Sequence, residues 1–144
     1  MKTVLIVEDD QDICFIIQCA LELCGYNVCT AGDGLQAQKN VTQNLPDMIV
    51  LDMIMPVMDG ITFNSWLKQN PVTQPIPVIA ISGNRQLSDI FVKYKDVKLT
   101  DLLEKPFPVR TLVDKINSIL QPERIIDEQT AEYGNTPDLT KTSD

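Results

Sequence analysis

Thr3-Val4-Leu5-Ile6-Val7 is a short apolar run rich in β-branched residues, and it leads straight into Glu8-Asp9-Asp10. A second run, Met48-Ile49-Val50-Leu51, ends in the same way on Asp52. Both have the length and composition of strands buried on both faces of a sheet. Parallel strands of one sheet end side by side at one edge. Several carboxylates would then crowd together, and a divalent cation among them would relieve their repulsion.

Outward from these runs, strand and helix patterns alternate from residue 3 to about residue 120. Asp10 is placed to cap a helix reaching about Cys24, with Ile13, Ile16, Ile17, Ala20 and Leu21 as its buried face and Gly25 as its stop. Asn27 to Ala31 reads as a strand, and Gly34 to Asn40 as the start of a helix. Pro46-Asp47 introduces the strand ending at Asp52. Pro56 and Gly60 mark a loop before a helix to about Gln69, in which Phe63 and Leu67 face inward. Val78 to Ile81 reads as a strand, Gln86 to Tyr94 as a weaker helix and Leu102-Leu103 as a short strand. Pro108 opens a last helix with Leu112, Ile116 and Leu120 on one face. This alternation predicts an α/β fold, a parallel sheet with helices on both faces.

The 144 residues suit one domain with a proper core. The net charge of -8 argues against direct contact with nucleic acid, whose phosphates attract basic surfaces. No apolar stretch is long enough for membrane insertion and no signal-peptide pattern opens the chain, so a cytoplasmic location is expected. Cys14, Cys19, Cys24 and Cys29 fit no zinc spacing and read as reduced thiols. The chain holds no histidine, so it contains no phosphohistidine relay of its own. From Pro122 the character changes: six acids stand against two bases, with few apolar residues. Residues 122–144 read as an acidic tail or linker. The expectation is either a stand-alone protein or a piece of a longer one.

Open α/β sheets place their ligands at the C-terminal ends of strands. Those ends carry Glu8, Asp9 and Asp10, then Asp52, Ser82 and Lys105. Two or three carboxylates suit a hard cation such as Mg2+. A lone aspartate serves as a nucleophile toward phosphorus, and a hydroxyl and an ammonium hold phosphoryl oxygens. Acids after the first strand disfavour a flavin-phosphate site. Bland readings accompany several residues: helix capping for Asp10, turn chemistry for Asp33 and Asp59-Gly60, packing for Met53, Met55 and Met58, and partial burial for Trp66.

Val7-Glu8-Asp9-Asp10, Leu51-Asp52-Met53-Ile54-Met55-Pro56-Val57-Met58-Asp59-Gly60, Ile81-Ser82-Gly83 and Lys105-Pro106-Phe107 together give the chain its family likeness. It resembles the receiver domain of bacterial two-component response regulators, over residues 1–121. The resemblance implies a flavodoxin-like, doubly wound sheet of five parallel strands in the order 2-1-3-4-5. It implies a phosphorylation-driven switch in which Asp52 takes a phosphoryl group from a sensor histidine kinase or a histidine phosphotransfer protein. Asp9, Asp52 and the backbone carbonyl of Ile54 would ligate Mg2+, with Glu8 acting through a water. Lys105 would pair with Asp52 and then with the phosphoryl group, Ser82 would bond a phosphoryl oxygen, and the Lys105–Pro106 peptide would be cis. Such a chain catalyses only its own phosphorylation and dephosphorylation and signals to a downstream output protein or domain.

Departures from the pattern carry their own expectations. Leu102 stands where the family commonly has an aromatic switch residue. Ile54 and Asn84 hold the positions that tune attack of water on the phosphoryl group, and an apolar Ile54 implies a long-lived phosphorylated form. Cys14 and Phe15 fall outside the buried stripe of the first helix, where exposed apolar groups would suit a docking partner helix. Two other functions match parts of this pattern. A metal-dependent phosphatase with an aspartyl nucleophile is disfavoured, because haloacid-dehalogenase enzymes need an acid where Ile54 stands. A receiver-like binding module that no longer needs phosphate is disfavoured by the retained acids, serine and lysine.

Overall fold

Successive side chains along each central strand point to opposite faces, so each strand feeds two cores. In the computed structural model, which describes residues 1–83 and 98–121, these strands are β1 (Thr3–Val7), β3 (Met48–Asp52) and β4 (Val78–Gly83). They are flanked by β2 (Asn27–Ala31) and β5 (Asp101–Lys105), giving one parallel sheet in the order β2-β1-β3-β4-β5. The helices are α1 (Gln11–Leu23), α2 (Gly34–Gln43), α3 (Gly60–Gln69) and α4 (Val109–Leu120). Val4, Ile6, Met48, Val50, Ile79 and Ile81 pack against α1 and α4, where Ile17, Leu21, Leu112 and Ile116 are buried. Leu5, Val7, Ile49, Leu51, Val78 and Ala80 pack on the other face against α2 and α3, through Val41, Phe63 and Leu67. The doubly wound architecture and the strand order both match expectation. The helix expected over Gln86 to Tyr94, Asn84 and residues 122–144 lie outside the described residues.

Three aspartates start three helices at the edge where the strands end. Asp10 Oδ1 accepts from the backbone N–H groups of Asp12 and Ile13 at 3.0 and 3.2 Å. Asp33 accepts from Gln36 at 2.9 Å, and Asp59 from Thr62 at 2.7 Å. Each such cap is worth about 1 kcal/mol. Gly25 follows α1 with φ of 91°, the left-handed stop that glycine supplies without a Cβ penalty. Trp66 is half-buried and stacks on Phe63, with ring centroids 5.8 Å apart. Phe15 is 64% exposed, whereas Cys14 is half-buried and packs against the α1 side of the core. The four cysteines are thiols.

The loop from β3 to α3 contains a strained residue. Val57 has φ of 69°, in the left-handed region that a β-branched side chain avoids, and it is 74% exposed. The N–H of Met58 donates to the carbonyl of Pro56 at 2.8 Å, closing a tight turn around it. Relief of this strain outweighs the extra freedom a glycine gives the unfolded chain. Val57→Gly is therefore expected to raise stability by about 1 kcal/mol, measured by chemical denaturation; a loss of stability would contradict this account.

Candidate functional site

The strand register brings the chemistry together. Val7 pairs with Leu51, so Glu8 emerges level with Asp52. Asp52 pairs with Ile81, which places Ser82 one step beyond it, and Gly83 pairs with Lys105. Residues separated by about fifty positions in sequence thus share one end of the sheet. Glu8, Asp9 and Asp52 each offer a carboxylate oxygen, and these atoms lie within 4.8 Å of one another. Glu8 and Asp52 are buried and Asp9 is exposed.

Lys105 crosses the end of the sheet to reach this group. Its Nζ lies 3.3 Å from Asp52 Oδ2 and 2.6 Å from Glu8 Oε1. The shorter contact is the ion pair between the Lys105 ammonium and the buried Glu8 carboxyl. The other oxygen, Oε2, accepts from the N–H of Asp10 at 3.2 Å. Asp52 Oδ1 accepts from the N–H of Ile54 at 3.1 Å, which fixes the carboxylate's orientation. The Ile54 side chain is 47% exposed at the rim. Ser82 is fully buried at the end of β4, and the Lys105–Pro106 peptide is cis.

Electrostatics follow from this packing. Burial, and then the neighbouring Asp52 carboxyl, push Glu8 from an ordinary 4.5 up to about 8, with Lys105 pulling part of the way back. Burial alone would depress the Lys105 ammonium, but Glu8 and then Asp52 more than offset it and hold it above its ordinary value. Among the described residues, two buried carboxyls and one exposed one against the Lys105 ammonium leave excess negative charge. Clustered hard oxygens with that excess suit a divalent cation such as Mg2+.

The model of the response regulator receiver domain matches residues 4–117. The chain belongs to that family. This receiver is 33% identical over 121 residues to the DNA-binding dual master transcriptional regulator RpaA of Synechocystis sp., covering 84% of this chain and 50% of that protein. It is 36% identical over 118 residues to the transcriptional regulatory protein PrrA of Mycobacterium tuberculosis, covering 82% of this chain and 49% of that one. The receiver therefore spans about half the length of these sequence relatives. Among solved structures it is similar to chemotaxis response regulator CheY4 of Vibrio cholerae, at 29% identity and a TM-score of 0.76, covering 83% of this chain and 99% of that chain.

The receiver's candidate residues Glu8, Asp9, Asp52 and Lys105 converge, and Ser82 and Ile54 flank them along the chain. The family resemblance implies that Lys105 pairs with Asp52, and it does, at 3.3 Å. In the receiver its nearer partner is Glu8, whose longer side chain is buried beside it. Alternation of apolar residues locates strand ends but does not say which of two adjacent carboxylates a lysine will reach. No helix among the described residues is long and apolar enough to cross a membrane.

Proposed function

We propose that Asp52 is the phosphoacceptor of a two-component switch, taking a phosphoryl group from a phosphohistidine on a sensor kinase or a phosphotransfer protein. The observation that carries this reading is the single ammonium of Lys105 set between Asp52 and Glu8, with Asp9 completing a carboxylate triad. One Asp52 oxygen forms the new bond to phosphorus as the bond from phosphorus to the donor's imidazole nitrogen breaks. The Ile54 N–H holds one carboxylate oxygen and the Lys105 ammonium faces the other, which fixes the carboxylate for attack. Lys105 offsets charge on the transferring group, and the Ser82 hydroxyl bonds one of its oxygens. Glu8, Asp9, Asp52 and the carbonyl of Ile54 would hold Mg2+. Bound there, the ion supplies charge neutralisation for the phosphoryl oxygens.

The unit we assign to this function is residues 1–121, with 122–144 as a tail or linker, acting in the cytoplasm. It catalyses only its own phosphorylation and dephosphorylation, and phosphorylation shifts a pre-existing equilibrium toward a form read by an output partner. The exposed Phe15 on α1 favours an apolar docking contact with the donor. Incubation with acetyl phosphate and Mg2+, followed by intact-protein mass spectrometry, is expected to show one added phosphoryl group that a chelator prevents. Labelling unaffected by the chelator would overturn the metal assignment, and absence of labelling would overturn the whole reading.

The apolar Ile54 side chain cannot orient a water by hydrogen bonding. Ile54→Asn is therefore expected to shorten the lifetime of the phosphorylated form by several-fold, in line with roughly 1 kcal/mol for one hydrogen bond. Equal or slower decay of the label would count against this.

A further inference from the structure

We propose that Gly60 is a positioning residue for the phosphoacceptor: its missing side chain lets the first turn of α3 press directly on the peptide that carries Asp52. This inference rests on the reading of Asp52 given above. The N–H of Gly60 donates to the carbonyl of Met53 at 3.0 Å, tying the start of α3 to the residue that follows Asp52. A Cβ at position 60 would stand 2.6 Å from Met53 Cα and 2.7 Å from the carbonyl oxygen of Asp52. Both are backbone atoms, of the last residue of β3 and the buried residue after it, so neither can swing aside as the end of a side chain would. Glycine is required here by close approach of two backbones.

The consequence reaches the carboxylate. Among the described residues, the Ile54 N–H at 3.1 Å and Lys105 Nζ at 3.3 Å both hold Asp52. The second is already at the long end of a charged hydrogen bond. Relieving a clash at position 60 moves the Asp52–Met53 peptide by several tenths of an ångström or more, and the carboxylate moves with it. Misplacement of a reacting group by about 1 Å costs on the order of 100-fold in rate.

Gly34 supplies a matched comparison. A Cβ there would meet Met58 Cβ and Cγ at 2.7 Å and Sδ at 2.8 Å, so its relief displaces Met58, six residues beyond Asp52, and not the Asp52–Met53 peptide itself. Gly34→Ala should therefore lose stability and leave Asp52 in place.

The experiment compares full-chain Gly60→Ala and Gly34→Ala in phosphoryl uptake from acetyl phosphate at saturating Mg2+. Folded fraction is read by chemical denaturation, and the Lys105 ε-methylene resonance by NMR. The expected result is uptake slowed by about 100-fold in folded Gly60→Ala, with the Lys105 resonance displaced. In Gly34→Ala the rate stays close to wild type and the resonance is unmoved. Folded Gly60→Ala working at the wild-type rate, or equal slowing in both variants, would overturn the proposal. Should Gly60→Ala not fold, Asp59→Ala decides, because it loosens the first turn of α3 by removing the cap on Thr62 without adding volume. Slower uptake with a displaced Lys105 resonance then supports the role, and wild-type uptake overturns it. A wild-type protein that takes no label at Asp52 would instead mark failure of the underlying phosphoacceptor reading.

Discussion

Asp52→Asn is expected to abolish phosphoryl uptake, with a loss of roughly 10⁴-fold or more, the scale seen when a nucleophile is removed from a working site. The substitution preserves shape. An amide oxygen still accepts from the Ile54 N–H, so the loop after β3 keeps its anchor. What disappears is the anionic oxygen proposed to form the bond to phosphorus. Removing it also takes one carboxyl away from Glu8, whose acidity Asp52 suppresses. The folded state should therefore be no less stable than the parent. Intact-protein mass spectrometry after acetyl phosphate treatment, with hydroxylamine to cleave acyl phosphates, reads the outcome. Full-level hydroxylamine-sensitive labelling of the variant would remove Asp52 from the role.

Lys105→Met is expected to slow uptake by about 10²- to 10³-fold, the usual cost of losing one charge-stabilising donor at a reacting centre. Its effect on the metal-free fold depends on pH. Among the described residues the Lys105 ammonium is the cation facing Glu8 and Asp52, and it lowers the pKa of Glu8. Removing one partner of a buried pair typically costs about 3–5 kcal/mol when the remaining charge stays ionised. Here Glu8 has an alternative, because it can hold a proton. In the parent its pKa is raised from 4.5 to about 8. The folded chain thus binds a proton that the unfolded chain has released, and the associated stability is present at low pH and lost as pH rises toward 8. Without Lys105 that window extends further upward. The variant should be only modestly destabilised near pH 6 and more strongly above pH 8. Urea denaturation across this range checks the sign, and a penalty that shrinks as pH rises would contradict it.

The central strands were legible because β1, β3 and β4 are buried on both faces and leave uninterrupted apolar runs. β5 was harder. Its apolar content is Leu102-Leu103, with Asp101 before and Glu104-Lys105 after, so only its middle was expected, whereas the strand spans Asp101–Lys105. α2 was expected to begin at Gly34 and does. It continues past Asn40 to Gln43 because Val41 is buried beneath it, a single apolar residue in a polar turn. The convergence of Glu8, Asp9, Asp52 and Lys105 followed from strand ends sharing one edge. Their pairing did not, since side-chain length and burial decide it. The close contact at Gly60 was also hidden: Asp59-Gly60 read as turn chemistry, and the turn does cap α3, but which backbone the glycine touches is a property of packing.

Trp66 is the chain's one tryptophan, and it rides on α3 six residues beyond Gly60, about 9 Å along the axis. Half-shielded against Phe63, it is an indole whose emission responds to small changes in hydration and ring stacking. The protein therefore carries a built-in optical gauge on the helix that abuts its acidic pocket. Titrations of cation or phosphoryl analogue can be followed by intrinsic fluorescence, with no label attached.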